Sequence, residues 1–466
     1  MTEKLPQVGE YILDIPEDSA NAKISTGWLL LAVGSMVVAG VFTILVVLSR
    51  VPYTKEFFPW VDFFHTALVV HVDLTVLTWF LGFAGLFWSL NSKKYCILCG
   101  WVALWLAVVG TLVIVLSPFL GAGKPFMNNY VPVLQDPLFF SGLSLFGIGI
   151  LILVVRGLIS SRSVGVTISA NGAIRFGLYT ALVAALVSIF ALLASWYNIP
   201  KNVNGEYFFE LLFWGGGHTL QFVHVQLVLV VWLCLATITG VSLKVSPRII
   251  VFIFAFGLLP VLLTPVVYLV FDVSSGNHLQ AIIWLMQFGG GMAALPIGAV
   301  IVYSMISNEN GFPVASAERN ALIFSLVLFA AGGVIGFMIS GSNTIVPAHY
   351  HGSITAITLA FMGITYSLLP RLGFKKPTGR LLKWQPVIYG VGQIIHISGL
   401  AWSGGHGVQR KTAGVAQGLD TIEKVIGMRV MGVGAGIAII GGIIFLYIVF
   451  KSMLSAKTNQ LEMGAK

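Results

Sequence analysis

The sequence predicts an all-α integral membrane protein with twelve transmembrane helices. Of its 466 residues, 57% are hydrophobic and only 9% are charged, whereas soluble globular chains carry roughly 25% charged residues. The apolar residues form long runs, and about 20 consecutive apolar residues are enough for a helix to cross the hydrocarbon core of a bilayer. A multi-pass membrane protein is the class that fits this composition.

Twelve apolar runs of this length follow one another along the chain. They are centred on roughly residues 38, 78, 107, 146, 186, 225, 260, 292, 330, 358, 393 and 440. Polar segments precede the first run, over 1–26, and follow the last, over 453–466. We therefore expect one membrane domain over 27–452 and no cleaved signal peptide.

Charge in the loops predicts the orientation. Most of the 26 lysines and arginines fall on the side that holds both termini, and loops rich in these residues stay in the cytoplasm. Both terminal segments are thus expected to be cytoplasmic, in the inner membrane of a bacterium or archaeon. The net charge of +9 reflects this topology, so no nucleic-acid binding is predicted. Cys96 and Cys99 form an isolated CxxC with too few ligands for a zinc site, and we expect them to be reduced and structural.

Histidines inside the apolar runs are the first functional signal. An ionisable residue in a membrane span indicates a functional site, although one hydrogen bond can keep a single neutral imidazole there. In IVPAHYHGS, His349 and His351 open the tenth run, and their side chains diverge by about 200° on a helix. They cannot bind one metal together, but they can serve two groups on opposite sides. Haem iron takes axial histidine, so two haems flanking the helix would explain the pair.

Four motifs in this order resemble the catalytic subunit of the haem-copper oxidase superfamily. The HxH pair opens the tenth helix, LVVHVDLTVLTWF lies in the second, WGGGHTLQF in the sixth, and GGHGVQRKTAG follows the eleventh. The resemblance implies a bundle like subunit I of these oxidases. It also implies two haems, expected to be b-type, and a second metal that is non-haem iron or copper.

The resemblance assigns roles to the haem ligands. The first histidine of the HxH pair, His349, corresponds to the ligand of the high-spin haem, and His351 to a ligand of the low-spin haem. His71 corresponds to the other low-spin ligand, with His65 as the alternative.

Three further residues correspond to the remaining motifs. His218 matches a ligand of the second metal, and Arg410 and Lys411 match the basic pair that holds the haem propionates.

The second-metal site departs from the family pattern. The family supplies two adjacent histidines at the end of helix seven, but this sequence contains no HH, and Phe271-Asp272 stands there. A carboxylate can replace imidazole and favours iron over copper, so Asp272 is a candidate ligand; the alternative is a solvated residue at a helix end. Glu210 lies eight residues before His218, about 12 Å nearer the outer surface, where it could feed protons inward.

The other histidines give weaker signals. His224 points about 240° away from His218 on a straight helix, so shared ligation is poor. His278 is expected at the outer membrane interface. For His396 and His406, contacts to propionates or water are plausible, as is simple packing.

The tyrosine that the oxygen-reducing branches place near the second metal is also displaced. In many members it follows the helix-six histidine by four residues, and here that residue is Phe222. Tyr268, one turn before Asp272, could substitute from helix seven. The lysine expected in helix eight for a proton channel is absent from LPIGAVIV.

These departures favour reduction of nitric oxide to nitrous oxide over reduction of O2 to water by a cytochrome c or quinol oxidase. A haem-binding membrane protein without catalysis and a transporter are the remaining alternatives; an inverted repeat, common in transporters, is not evident. No CxxCH motif is present. The electron donor is therefore expected to be a smaller redox subunit, either a c-type cytochrome or a cupredoxin, or a quinol.

Overall fold

The computed structural model describes residues 9–16, 19–48, 60, 62–121, 123–308, 316–412 and 417–455. The terminal segments predicted over 1–26 and 453–466 therefore lie partly outside the described residues. The α-helices are α1 Ser19–Leu48, α2 Phe63–Val72, α3 Trp79–Leu90, α4 Ile97–Gly121, α5 Pro137–Ser160, α6 Ala170–Asn198, α7 Gly205–Ile238, α8 Pro247–Phe256, α9 Leu259–Val270, α10 Gly276–Gly289, α11 Ala294–Ile306, α12 Ser316–Phe337, α13 Ile345–Arg371, α14 Arg380–Gly405 and α15 Ile422–Leu454.

The predicted all-α class is confirmed, but twelve spans are not. In the described part of the chain, eleven helical stretches are long and apolar enough to cross a membrane. The eleventh predicted run forms α14, whose 26 residues measure about 39 Å. Polar side chains lower the hydropathy of α14: Gln385, for example, accepts from the Tyr366 hydroxyl (2.8 Å) and donates to the Gly441 carbonyl (3.1 Å). α14 is therefore long enough to cross a membrane, but its composition is too polar for it to be one of the eleven apolar stretches.

Three of the predicted spans are interrupted, among them the eighth, which breaks between α10 and α11. A π-helical segment, Asp73–Thr78, joins α2 to α3 within one continuous stretch. The seventh span breaks between α8 and α9, where Pro260 stands in the first turn of the new helix and cannot donate a backbone hydrogen bond. An antiparallel hairpin of β1 Pro125–Phe126 and β2 Val133–Leu134 precedes α5.

The chain divides into two compact units. The first contains Met1–Val230 and Leu243–Tyr303, and the second contains Val231–Ser242 and Ser304–Lys466. In the first unit α4 packs closely on α5. The contact depends on the missing side chain of Gly110, since a Cβ there would lie 2.6 Å from the Gly142 carbonyl oxygen. Small residues that let backbones approach are typical of helix contacts in membranes.

In the second unit α13 packs between α12 and α14 and is buried along most of its length. Its contact with α12 depends on two glycines. A Cβ on Gly352 would lie 2.6 Å from Gly332 Cα, and a Cβ on Gly332 would lie 2.6 Å from the backbone nitrogen of Ser353. The close approach fixes how the start of α13 faces α12.

Replacing Gly332 with alanine should destabilise the protein. The added Cβ meets backbone, which cannot move aside like the end of a side chain, so we expect a loss of roughly 1–3 kcal/mol. The midpoint of thermal unfolding in detergent measures the effect. Gly333→Ala is the matched control, because a Cβ there meets nothing within 4 Å; equal midpoints for the two variants would contradict the close contact.

Cys96 and Cys99 are joined by a disulfide, so the prediction that they are reduced is wrong for this structure. Cys96 lies just before α4 and Cys99 lies in its first turn. Their Cα atoms are 5.3 Å apart, within the usual range for a disulfide. Spacing alone did not reveal that the chain turns tightly enough at this point to bring the two sulfurs together.

Candidate functional site

His71, near the C-terminal end of α2, is held by α1. Its Nδ1 donates to the carbonyl of Ala39 at 3.1 Å, and Thr43 Oγ1 lies 3.1 Å from the same nitrogen. Nε2 is the nitrogen left to bind a metal. His65 is placed differently: its Nδ1 lies 2.6 Å from Asp62 Oδ2, and Asp62 also caps the start of α2. The geometry favours His71 over His65 as the ligand.

His218 is buried in the first unit, in the middle of α7. Its Nδ1 donates to the Trp214 carbonyl at 2.7 Å, which again leaves Nε2 free of this bond. Two aromatic rings flank the imidazole, that of Trp214 at 4.7 Å and that of Tyr130 at 4.5 Å between centroids. The imidazole is thus held by one hydrogen bond and two ring contacts.

Tyr130 is the residue at this site that the sequence did not reveal. It lies in the connection between β1 and β2, and its φ of +71° is in the left-handed region, which non-glycine residues adopt mostly at turns and functional sites. Its ring packs where Gly217 has no side chain, since a Cβ there would lie 2.3 Å from Tyr130 Cγ. No spacing relates the NNY of this loop to His218, so only the fold shows the contact.

The neighbouring residue in the same loop holds Glu210. The backbone N–H of Asn129 donates to Glu210 Oε2 at 2.7 Å, and its side-chain amide donates to Oε1. Both carboxylate oxygens therefore have donors, and Glu210 is half-buried. The loop joins the two predicted residues: Asn129 binds Glu210, and Tyr130 contacts His218.

Tyr268 lies on α9 in the first unit. Its hydroxyl forms a 2.7 Å hydrogen bond with Ser195 Oγ. It also lies against Gly215, where a Cβ would be 2.1 Å from the hydroxyl oxygen. Gly215 lies on α7 about one turn before His218, so the Tyr268 hydroxyl contacts the turn that precedes His218. The ring of Tyr268 contacts that of His278 at 4.7 Å.

Two further histidines of the first unit are buried. His278, expected at the outer membrane interface, lies in the first turn of α10, is only 1% exposed and is covered by the ring of Tyr268. His224 is equally buried beside Phe80, at 4.7 Å between ring centroids. Within the described residues, neither ring nitrogen of His224 has a hydrogen-bond partner.

Asp272 lies in the connection between α9 and α10 and is exposed. Its Oδ1 accepts hydrogen bonds from the backbone N–H (2.8 Å) and the hydroxyl (2.5 Å) of Ser274. The next residue, Val273, packs with Leu211 and Leu212, six to seven residues before His218 and so about 10 Å away along α7. Both bonds use Oδ1, so as a metal ligand Asp272 could bind through Oδ2 and keep them.

The matched pair Asp272→Asn and Ser274→Ala tests this ligand. The asparagine can still accept from the Ser274 N–H but carries no charge, so a ligand role predicts a loss of metal affinity above the roughly 10–100-fold cost of losing a hydrogen-bond partner of a ligand. Ser274→Ala should leave metal content unchanged. Metal content of the purified protein measures both, and equal metal in Asp272→Asn and the unmodified protein would remove Asp272 from the ligand set.

The same contacts predict a pH dependence. Hydrogen bonds from the hydroxyl and backbone of Ser274 hold the pKa of Asp272 below its ordinary value. The free energy of unfolding that these hydrogen bonds contribute is therefore fully present above the ordinary pKa of an aspartate. It is lost as the pH falls through the lowered pKa of Asp272.

In the second unit, His349 and His351 face different helices. His349 Nδ1 donates to the Gly332 carbonyl of α12 at 2.7 Å. The ring of His351 contacts that of His396 on α14, at 4.8 Å between centroids. The two imidazoles diverge as the two-residue spacing predicts, and His396 in turn donates from Nδ1 to the Met431 carbonyl at 3.0 Å.

Arg410 and Lys411 follow α14 in a loop tied to the start of α13. The N–H of Thr344 donates to the Val408 carbonyl at 2.9 Å, and Asn343 and Gln409 form a β-bridge. Arg410 Nε donates to Ser342 Oγ at 3.1 Å. The basic pair is thus held beside the end of the helix that carries the HxH motif.

His71, His218 and His349 share one arrangement that fits metal ligation. Each donates from Nδ1 to a backbone carbonyl, the partner that ligating histidines usually have and that presents Nε2 to the metal. In the described ranges, no three His, Cys, Asp or Glu side chains cluster as a self-contained metal site. Haem iron needs only axial ligands from the protein, so His71 and His349 fit haem, whereas a non-haem metal at His218 would need further ligands.

The sequence profile described as "Cytochrome C and Quinol oxidase polypeptide I" matches residues 23–444. The chain belongs to this family. A protein of Rickettsia prowazekii (strain Madrid E) described as uncharacterized is 28% identical over 514 residues, covering 95% of this chain and 98% of that protein. Another such protein, from Aquifex aeolicus (strain VF5), is 30% identical over 363 residues, covering 77% and 88%.

Membership of the cytochrome c and quinol oxidase polypeptide I family confirms the haem-copper resemblance. The chain is accordingly a multi-pass membrane oxidoreductase of haem-copper type, a family whose members bind haems and a copper or iron site. This result favours the oxidoreductase over the transporter alternative.

Proposed function

We propose that the chain is the catalytic subunit of a nitric oxide reductase-like member of its family, which reduces nitric oxide to nitrous oxide. Two molecules of nitric oxide, two electrons and two protons give one nitrous oxide and one water. The observation that carries the proposal is a carboxylate linked to His218 through one loop. Asn129 of this loop donates to Glu210, and the ring of Tyr130 contacts the His218 imidazole.

The position that carries a tyrosine in many oxygen-reducing members supports the same choice. Here it is Phe222, which is buried and packs near Gly289 of α10, where a Cβ would lie 3.3 Å from the Phe222 ring. This residue offers neither a proton nor a hydrogen atom. The step that cleaves O2 without releasing peroxide would have to use another group.

The roles follow the resemblance. His71 and His351 are the proposed ligands of the low-spin haem, His349 of the high-spin haem and His218 of the second metal. Asp272 remains a proposed further ligand. When bound, these groups supply the redox chemistry.

The chain's own residues have three tasks beside ligation. The carbonyls of α1, α7 and α12 fix the imidazole orientations. Arg410 and Lys411 are placed to neutralise propionates beside the start of α13. Glu210 is the proposed proton relay on the predicted outer side of His218, and Asn129 fixes its carboxylate.

Electrons would arrive from a smaller redox subunit, either a c-type cytochrome or a cupredoxin, or from a quinol. The proposed setting is the inner membrane of a bacterium or archaeon, with both termini in the cytoplasm.

Asn129→Ala tests the proton route. The substitution removes the side-chain donor to Oε1 and keeps the backbone N–H donor to Oε2. Losing a hydrogen bond to a half-buried carboxylate costs roughly 1.5–3 kcal/mol, and we expect turnover to fall about 10-fold with an unchanged haem spectrum. Glu206→Gln, on an exposed residue of the same helix, is the control and should keep full turnover. Full turnover in Asn129→Ala would argue against the route.

An O2 reductase is the second candidate, and Tyr130 favours it, because a phenol does lie against the proposed metal ligand. Metal analysis of the purified protein separates the two. Iron at about three atoms per chain supports the nitric oxide branch, and about two iron with one copper supports the O2 branch. Gas uptake by the same sample, with nitric oxide and with O2, gives the substrate directly; consumption of O2 alone would overturn the proposal.

A further inference from the structure

The disulfide between Cys96 and Cys99 lies on an accessible loop of the first unit. Cys96 is exposed and Cys99 is partly exposed, whereas the third cysteine, Cys234, is buried and takes no part in a disulfide. Two exposed lysines, Lys93 and Lys94, precede the pair. Accessible disulfides are the ones that exchange, and buried cysteines are inert.

The surroundings of the pair favour a thiolate. Cys99 lies in the first turn of α4, where the partial positive charge of a helix N-terminus stabilises an anion. From α5, Arg156 Nε donates to the Cys96 carbonyl at 3.2 Å. Its guanidinium carbon would lie 3.2 Å from a Cβ on Gly100. A CxxC motif at a helix start beside a guanidinium is the environment in which cysteines react.

The backbone of Cys96 is unusual as well. Its φ of +30° is in the left-handed region, which is unfavourable for a non-glycine residue and clusters at functional positions. The Cys96 carbonyl accepts from both Arg156 Nε and the Gly100 N–H, each at 3.2 Å. These bonds hold the loop in the conformation that brings the two cysteines together.

We propose that Cys96 and Cys99 form a thiol–disulfide exchange site that accepts two electrons from a dithiol at the membrane surface, either a CxxC protein or a small dithiol. A thiolate of the donor attacks the more exposed Cys96 Sγ, and the Cys96–Cys99 bond breaks. Cys99 Sγ leaves as the thiolate at the start of α4. The second thiol of the donor then resolves the mixed disulfide. The donor ends as a disulfide, and two protons end on Cys96 and Cys99.

The state of the pair is connected to neighbouring helices through Arg156. Besides the Cys96 carbonyl, its guanidinium donates to Asn21 Oδ1 at 2.6 Å and to Ser92 Oγ at 3.4 Å. Asn21 belongs to α1, and Ser92 follows α3. The predicted orientation puts this end of the first unit in the cytoplasm, where thiol donors are abundant.

Thiol labelling of the folded, full-length protein tests the proposal. Under air we expect no label on Cys96 or Cys99, and after dithiothreitol we expect one label on each, both located by peptide mass spectrometry. When the reductant is removed under air before labelling, the disulfide should form again and neither cysteine should take label. Cys234 is the internal control and should take label only after denaturation. Free Cys96 and Cys99 under air, or a bridge that dithiothreitol opens only in denaturant, would overturn the proposal.

Two variants test the chemistry separately from the fold. Cys99→Ser cannot resolve a mixed disulfide, so we expect glutathione disulfide to trap one glutathione on Cys96. Arg156→Lys keeps the charge but loses the planar donor, and Arg156→Gln loses both. The reduced pair should be alkylated at pH 7 in the order unmodified protein, Arg156→Lys, Arg156→Gln, over about a 10-fold range. Equal rates in all three, or no glutathione adduct in Cys99→Ser, would contradict the exchange site.

Discussion

Replacing His71 with alanine is expected to remove the low-spin haem and leave the high-spin haem in place. The variant loses the Nε2 that α1 presents through the Ala39 carbonyl, and no other residue on that turn offers an imidazole. Turnover with an external electron donor should fall by more than the roughly 10–100-fold cost of losing a hydrogen-bond partner of a metal ligand. Haem content by pyridine haemochrome and the reduced-minus-oxidised spectrum measure the loss.

His65→Ala is the matched comparison for His71. It lies on the same helix, is the alternative ligand, and is bonded instead to Asp62 at the helix start. We expect His65→Ala to keep two haems and most of the turnover. Loss of the low-spin haem in His65→Ala, with retention in His71→Ala, would reverse the assignment. The ligand would then lie six residues nearer the start of α2.

Replacing His218 with alanine is the second change with a large expected effect. Both haems should remain, because their proposed ligands are untouched, but the second metal should be lost. Gas turnover should fall to the background of a haem protein, a loss of at least about 100-fold. Metal analysis together with the haem spectrum distinguishes this outcome from unfolding, which would remove haem and metal alike.

Gln221→Ala controls for damage to α7. Gln221 lies one turn beyond His218, is half-buried, and among the described residues its side chain makes a single long hydrogen bond, of 3.5 Å, to the Gly217 carbonyl. The variant should keep the second metal and normal turnover. Retention of the second metal in His218→Ala would contradict the ligand role of His218. The buried His224 and His278 would then be the histidines to replace next.

The sequence was sufficient where a regular period determines the answer. Apolar runs of helical length predict the membrane class, and the two-residue spacing predicts that His349 and His351 face different helices, which α12 and α14 confirm. The motif order predicts the family, which the profile match confirms. These inferences need only local geometry and the order of elements.

The sequence was insufficient where a loop folds back on a helix. Tyr130 reaches His218 across 88 residues of chain, and the contact depends on a left-handed backbone conformation that composition does not predict. The disulfide of Cys96 likewise depends on the turn before α4. Each is a tertiary contact that overrides a reasonable local expectation.

The π-helical segment after His71 makes the second span sensitive to chain length. A bond from residue i to i+5 accommodates one more residue than an α-helical turn, as in the bond from the Trp79 N–H to the Leu74 carbonyl. Deleting one residue from 73–78 would let the span close into a regular α-helix. α3 would keep its orientation relative to His71, because the closed α-helical turn holds one residue fewer than the π-helical one. Adding a residue would instead rotate α3 by about 100° and move Trp79 and its buried neighbours off their packing face, so single-residue insertions in this segment should be far less well tolerated than deletions.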